Sequence, residues 1–177
     1  MNEAKVLVLR SCDKDMKSYG GFTWPMSGMV EAPDWNPTPE CGHGLHGLLW
    51  GEGDGSLMVW DEDAKWLVCR VLESDIVSLG GKVKFPRCEV IFVGDRFEAV
   101  KYIGENGAAG RAIVSGTATA GVSGTATAGD RGTATAGDSG TATAGDSGTA
   151  TAGVSGTATA GDRGTATAGV RGTATAG

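Results

Sequence analysis

Both histidines of the chain, His43 and His46, fall within four residues of each other, just after Cys41, in Cys41-Gly42-His43-Gly44-Leu45-His46-Gly47. Imidazole nitrogens and a thiolate are zinc ligands, and three protein ligands with an open fourth position make catalytic zinc chemistry. Cys41, His43 and His46 are therefore the metal-ligand candidates, although their spacing matches no strong zinc pattern and no fourth ligand is marked. A second arrangement uses His46 to orient a substrate in a cleft with Trp35, Asp34, Glu52 and Asp54. Any acid–base chemistry there would fall to His46, Asp54 and Glu52. The plainest reading makes Gly44-Leu45-His46-Gly47 a tight turn into a strand, with His46 hydrogen-bonded structurally. The residues favour this last reading while leaving the other two open. On it the chain needs no metal or cofactor, and any small-molecule ligand is unidentified.

A different chemistry fills the last third. From Gly116 to Gly177 an eight-residue unit, Gly-Thr-Ala-Thr-Ala-Gly-(Asp/Val)-(Ser/Arg), recurs seven times and ends on a further Gly-Thr-Ala-Thr-Ala-Gly. Thr and Ala alternate, so on a strand all Thr share one face and all Ala the other. The candidate binding surface is the set Thr117, Thr119, Thr125, Thr127, Thr133, Thr135, Thr141, Thr143, Thr149, Thr151, Thr157, Thr159, Thr165 and Thr167.

Those hydroxyls need strands to carry them and turns to reset the chain. The density of Gly and Thr excludes helix. Each unit reads as a strand of about five residues closed by a turn in which Gly supplies positive φ and Asp bonds its own neighbouring backbone. A lone Thr/Ala strand buries too little to offset the entropy of ordering it, so units must stack. Two units per coil give an all-β, flattened two-sided β-solenoid of about 16 residues per coil and about four coils, with Ala inward. Inward Thr would bury unpaired hydroxyls. The turn residues support the pairing: Asp130, Asp146 and Asp162 then line one edge, and Val122, Asp138, Val154 and Val170 the other. Arg131 and Arg163 would sit beside the stacked Asp and offset their repulsion. Three uses follow. The array is a rigid spacer, or an ordered surface, or a self-associating rod whose uncapped end at Gly177 templates pairing. The missing cap leads us to expect that the natural chain continues. The outward Thr-x-Thr columns resemble the flat threonine arrays of insect antifreeze proteins, which implies ice binding.

Residues 1–107 read as an α+β domain, mostly strands with one capping-box helix, and residues 108–177 as the solenoid. Lys5–Arg10 is a first strand, Trp66–Leu72 a central one and Glu89–Val93 a further one. Lys82-Val83-Lys84-Phe85 reads as an edge strand kept soluble by its lysines. Asp95 caps a helix with Glu98 as the capping-box partner; Phe97, Val100 and Ile103 make its apolar stripe and Gly104 ends it. The helix leads toward the repeat, so the front domain is expected to cap the solenoid, with Ile113 and Val114 of a degenerate first unit sealing the coil.

Residues 1–107 hold 11 Lys+Arg against 17 Asp+Glu, the whole of the net charge of −6, whereas residues 108–177 are neutral with four Arg and four Asp. No basic stripe suits nucleic acid. No apolar run approaches the ~18–20 residues of a membrane span, so no membrane partner is expected. The start, Met1-Asn2-Glu3-Ala4-Lys5, lacks the features of a signal peptide, which points to a cytoplasmic protein with reduced thiols. Cys12, Cys41, Cys69 and Cys88 form no Cys-x-x-Cys pair and are expected to be buried and free.

Leu9-Arg10-Ser11-Cys12, Gly20-Gly21-Phe22-Thr23-Trp24-Pro25, Ala32-Pro33-Asp34-Trp35, Cys41 to Gly47, Trp50-Gly51-Glu52-Gly53-Asp54-Gly55 and Gly80 to Arg87 together resemble a domain family of unknown function. It is found in bacterial and phage-associated proteins and is often followed by Thr-Ala-Thr-Ala-Gly arrays. The resemblance covers Val6 to Ile103 and carries no known activity or catalytic residue. Gly44-Leu45-His46 is also similar to a turn in some small ADP-ribosyltransferase-like domains, but no catalytic Glu context accompanies it. The leading reading is a non-enzymatic structural or binding protein; the alternatives are an enzyme with its site around His46 and an ice-binding protein.

Overall fold

A computed structural model describes residues 3–177. Met1 and Asn2, part of the segment read above for a signal peptide, lie outside the described residues. The chain forms two compact units that divide between Ala108 and Ala109.

The front unit is built on β1 (Lys5–Cys12), β2 (Gly28–Glu31), β3 (Leu45–Leu49), β4 (Lys65–Leu72), β5 (Val77–Ser78), β6 (Val83–Phe85), β7 (Arg87–Gly94) and one helix, α1 (Arg96–Glu105). The strands make one antiparallel sheet in the order β2-β7-β4-β1-β3-β6-β5. Val6, Val8 and Cys12 of β1, Leu67, Cys69 and Val71 of β4, and Cys88 and Val90 of β7 join Trp24, Leu45 and Phe85 in one core. Residues of the opposite parity, Leu7, Leu9, Trp66 and Val68, are equally buried. Strands covered on both faces read as near-continuous apolar runs, which is why Val6-Leu7-Val8-Leu9 shows little alternation. The helix α1 packs on β1, β4 and β7.

The capping box forms as the sequence implies: the Glu98 amide donates to Asp95 Oδ1 at 2.9 Å and the Asp95 amide to Glu98 Oε2 at 3.0 Å. The apolar stripe differs. Ala99 and Ile103 are buried, while Phe97 is 67 % exposed. Phe97 sits in the first turn, off the Ala99–Ile103 line, where four-residue spacing sets the covered face. Gly104 lies inside the helix, which ends at the C-cap Asn106, whose amide donates to the Tyr102 and Ile103 carbonyls. The edge-strand expectation for residues 82–85 also fails. The strand β6 lies between β3 and β5, and Lys84 is 0 % exposed. Its ammonium donates to the Glu40 carbonyl at 2.8 Å and the Gly42 carbonyl at 3.3 Å. The loop over β6 supplies the oxygens that water would otherwise provide.

The second unit is the solenoid. Its strands are β8 (Thr117–Ala120), β9 (Thr125–Ala128), β10 (Thr133–Ala136), β11 (Thr141–Ala144), β12 (Thr149–Ala152), β13 (Thr157–Ala160), β14 (Thr165–Ala168) and β15 (Thr173–Ala176). They form two parallel sheets, β8-β10-β12-β14 and β9-β11-β13-β15, so one coil is two units. Register is strict, with Thr133 beside Thr117 and Thr149, and Ala134 beside Ala118 and Ala150. Ala134, Ala142, Ala150 and Ala158 are fully buried and the Thr face outward.

The turns are made differently from the sequence reading. No array glycine has positive φ; the Ser or Arg at the second turn position does, from Ser115 at +60° and Ser123 at +59° through Arg131 at +54° to Arg171 at +63°. Glycine is needed for closeness instead. A Cβ on Gly132 would stand 2.8 Å from both the Ala128 Cβ and the Gly116 carbonyl oxygen, and one on Gly137 2.9 Å from the Val122 nitrogen. The Asp side chains bond the next coil rather than their own turn. Asp130 Oδ1 accepts from the Asp146 amide at 3.1 Å, Asp138 Oδ1 from Val154 at 2.9 Å, and Asp146 Oδ1 from Asp162 at 3.1 Å. Backbone ladders run beside them: the Arg131 amide donates to the Asp146 carbonyl at 2.8 Å and the Thr149 amide to the Gly132 carbonyl at 2.9 Å. The degenerate unit joins the same ladder, with the Ser115 amide on the Asp130 carbonyl at 2.7 Å and with Ile113 and Val114 buried.

These contacts rank two substitutions. Asp146→Ala leaves the Asp162 amide without its side-chain acceptor and should cost about 1 kcal/mol. Gly140→Ala drives a methyl against the Gly124 carbonyl oxygen and the Ala136 Cβ and should cost more, about 2–3 kcal/mol. Thermal loss of the β circular-dichroism signal measures both, and the order should be Asp146→Ala above Gly140→Ala in midpoint.

Candidate functional site

One buried cation and one half-buried cation organise the loop that carries Cys41, His43 and His46. Lys84 holds the Glu40 and Gly42 carbonyls from beneath, with its ammonium 5.7 Å from the Trp35 ring centroid. Arg10 lies on β1 with its guanidinium 4.2 Å from the Trp24 ring centroid and donates to the His46 carbonyl at 2.8 Å. A Cβ on Gly44 would stand 2.9 Å from the Trp35 ring, so the glycine lets the loop close on the indole. The sequence marks neither cation as part of a site: Lys84 reads there as a solvent-facing lysine of an edge strand. The signal for Arg10 was its parity, since it shares a face with Val6, Val8 and Cys12.

With its carbonyls turned to Lys84, the loop sends its side chains to separate partners. The exposed thiol of Cys41 accepts from Lys82 Nζ at 3.0 Å. That hydrogen bond and the ammonium charge hold the thiol below its ordinary value. His43 Nδ1 lies 3.3 Å from Asp34 Oδ2, both side chains being mostly exposed. His46 sits on β3 opposite Lys84, half-buried, with Nε2 buried and without a hydrogen-bond partner. Burial first, and then the charges of Lys82 and Arg10, push its pKa down to about 4. Asp54 Oδ1 accepts from the Ser56 amide at 2.9 Å and caps a short turn; the Ser56 hydroxyl first, and then that amide, lower its pKa. The Glu52 amide donates to the Leu49 carbonyl. Among the described residues no group of three or more His, Cys, Asp or Glu side chains converges on a metal position. A base with a pKa near 4 is also poorly matched to proton transfer near neutrality. Cys12, Cys69 and Cys88 are buried and free as expected, whereas Cys41 is exposed because the loop lies on the surface.

The threonine surface, by contrast, is assembled. Thr117, Thr119, Thr133, Thr135, Thr149, Thr151, Thr165 and Thr167 lie on one sheet; Thr125, Thr127, Thr141, Thr143, Thr157 and Thr159 lie on the other. Thr173 and Thr175 extend the second set; they belong to the incomplete last unit and were not among the candidates. All are exposed except Thr143 and Thr151, which are half-buried. Strand spacing separates neighbours in a column by about 4.8 Å, and the pleat separates the two Thr of a strand by about 6.6 Å. Every side chain is β-branched and stiff at χ1, so each methyl and hydroxyl keeps its place. The faces carry no charge; Asp and Arg are confined to the turns.

Two measurements probe the loop. His46 has a folded pKa below its unfolded value of ~6.5, so the unfolded state takes up the proton first. Its contribution is fully present above pH ~6.5 and is lost as pH falls toward about 4. Tryptophan fluorescence reports only the front unit, since all five Trp lie there. Its melting midpoint should fall more steeply with acid in the parent than in His46→Gln. Iodoacetamide should label Cys41 in the folded protein and spare Cys12, Cys69 and Cys88, and Lys82→Met should slow that labelling.

Among the described residues no helix is long and apolar enough to cross a membrane. The chain is similar to an ice nucleation protein of Pseudomonas fluorescens, 44% identical over 108 residues, covering 60% of this chain and 9% of that one. An ice nucleation protein of Pseudomonas syringae pv. syringae is 48% identical over 105 residues, 58% of this chain and 9% of its own. One of Xanthomonas campestris pv. translucens is 43% identical over 104 residues, 58% and 7% respectively. The chain thus spans less than a tenth of the length of these relatives. No solved structure matches it. The family described as a domain of unknown function (DUF7666) matches residues 6–103, more than half of the chain, and the chain belongs to that family.

Proposed function

We propose that this protein binds ice and orders water into it through the outward Thr-x-Thr columns of the solenoid. The observation that carries the reading is the strict register of Thr on Thr in both sheets. Two hydrogen bonds of ~2.75 Å meeting at the tetrahedral angle separate second-neighbour water oxygens by about 4.5 Å. The column repeat of about 4.8 Å is close to that distance. A row of hydroxyls at this interval can therefore hold waters near their positions in the ice lattice. The methyls between them discourage competing water geometries, and the uncharged face attracts no shell of counter-ions. The names of the similar bacterial proteins support the same reading.

The coil-to-coil ladder also makes the array stiff, which supports the plain spacer reading, and the two part on one experiment. Thr133, Thr135, Thr149 and Thr151 face out from a single sheet and donate no backbone bond through their side chains in the ladder. Replacing all four by Lys should leave the β signal in place. Freezing of supercooled droplets should then shift toward the temperature of buffer alone, and ice crystals grown with the variant should lose faceting. Droplets that freeze no warmer with the parent chain than with buffer, together with crystals that stay as plain discs, sink the proposal and leave the spacer.

A further inference from the structure

We propose that the solenoid pairs edge to edge and antiparallel with a second copy of this chain, through the turn column that carries valine. The Ser123 amide on the Asp138 carbonyl, Ser139 on Val154 and Ser155 on Val170 stack these turns one above the other. Val122, Asp138, Val154 and Val170 therefore form one straight column, with Ser123, Ser139, Ser155 and Arg171 in a second column beside it. The three valines are 75 %, 47 % and 73 % exposed. The stack does not require them, since the opposite edge is built with Asp130, Asp146 and Asp162 at the same position.

Charge selects the partner and its direction. Asp138 and Arg171 are the only charged turn residues of this edge, both are exposed, and neither forms an ion pair among the described residues. They lie two coils apart. A copy turned about a two-fold axis through Val154, normal to the sheets, lays Val154 on the copy's Val154. The coil of Asp138 then meets the coil of the copy's Arg171, and symmetry makes this ion pair twice. A two-fold along the rod sets the valine column against the Ser/Arg column and loses the apolar match. Moving the axis half a coil toward Asp138 sets that carboxylate on the copy's Val154 and leaves both charges unpaired. Three turns bury far less than the ~800 Å² per partner of a stable complex, so the pair is weak and a covalent trap reads it best.

Cys41→Ser removes the exposed thiol; the other three cysteines are buried. In that background Val154→Cys lies on the axis and faces its own mate. Val122→Cys lies two coils from the axis, so its mate is about 19 Å away, beyond the ~7 Å Cα separation that a disulfide spans. Copper-catalysed air oxidation at millimolar protein should give the Val154→Cys dimer at least tenfold faster than the Val122→Cys dimer. Exposure alone predicts the reverse order, because Val122 is the more exposed. Adding Arg171→Asp to Val154→Cys should slow dimer formation about tenfold at low salt, and adding Asp138→Arg as well should restore it. Asp138→Arg forfeits the bond to the Val154 amide, so the restored variant is compared only if its β circular-dichroism signal is intact; otherwise Arg171→Asp decides alone. A Val122→Cys rate equal to or above that of Val154→Cys, no dimer from either, a rate unmoved by Arg171→Asp, or a folded double reversal that stays slow overturns the proposal.

Discussion

The distance between one coil and the next governs almost every residue choice in the array. Parallel strands sit about 4.8 Å apart, and the two sheets close over nothing larger than alanine. At the strand ends the chain must approach the coil beneath it so closely that a Cβ has no room, as the contacts built for Gly132, Gly140 and Gly148 show. Tightness there forces the reversal onto the two residues that precede each of these glycines. The second of these then adopts a left-handed conformation in Ser and Arg alike, an expense of order 1 kcal/mol for each. The return is a bond: the amide of each such residue, from Ser115 to Ser155, donates to a carbonyl fifteen positions on. The first turn residue is freer. Asp adds a side-chain acceptor for the coil above, whereas Val122, Val154 and Val170 keep only the backbone bonds. Nothing in the stack itself explains the choice of Val at those positions.

In the front unit the corresponding constraint is the removal of two cations from water, Lys84 wholly and Arg10 in part. Lys84 and Arg10 are tolerated because the Glu40, Gly42 and His46 carbonyls meet them. That arrangement also sets where the side chains of the loop go. Its peptide oxygens point inward, so Cys41 and His43 project outward and find Lys82 and Asp34 separately. His46, held on β3 between cationic neighbours, stays neutral down to about pH 4. The residue types of a metal site are present in sequence, but among the described residues no three of them converge.

What could be read from sequence was what one segment decides alone. The strand runs at β1, β4 and β7 and the Asp95–Glu98 box are local, and the structure has them. The sixteen-residue coil was legible because the Asp and Val turn residues fall into two phases, and Thr-outward followed from the cost of burying hydroxyls. The misreadings share one cause. Lys82-Val83-Lys84-Phe85 alternates like a solvent-facing edge, but a loop some forty residues earlier covers Lys84. The glycines looked like the source of positive φ until a neighbouring coil, invisible within one octad, showed that they are needed for closeness. Phe97 looked like part of a helical stripe until the sheet chose Ala99 and Ile103 instead.

The division of labour within the octad has a consequence for what such an array can become. Stability resides in Ala, Gly and the backbone ladders; the Thr side chains take no part in them. The face is therefore free to vary without disturbing the stack, and its chemistry is that of one residue type copied at a fixed interval. Charge is kept to the edges, where Asp and Arg turn residues do not interrupt the columns. A globular surface of the same area would mix apolar, polar and charged groups in an irregular pattern. This one presents a single methyl and hydroxyl motif in two dimensions, and its regularity is inherited from the strict register of the parallel sheets beneath it. A ligand that is itself periodic gains one increment of contact with every added coil, whereas a compact ligand gains nothing beyond the first few. On the proposed ice-binding reading, repeating the same octad so faithfully suits a partner that is itself periodic.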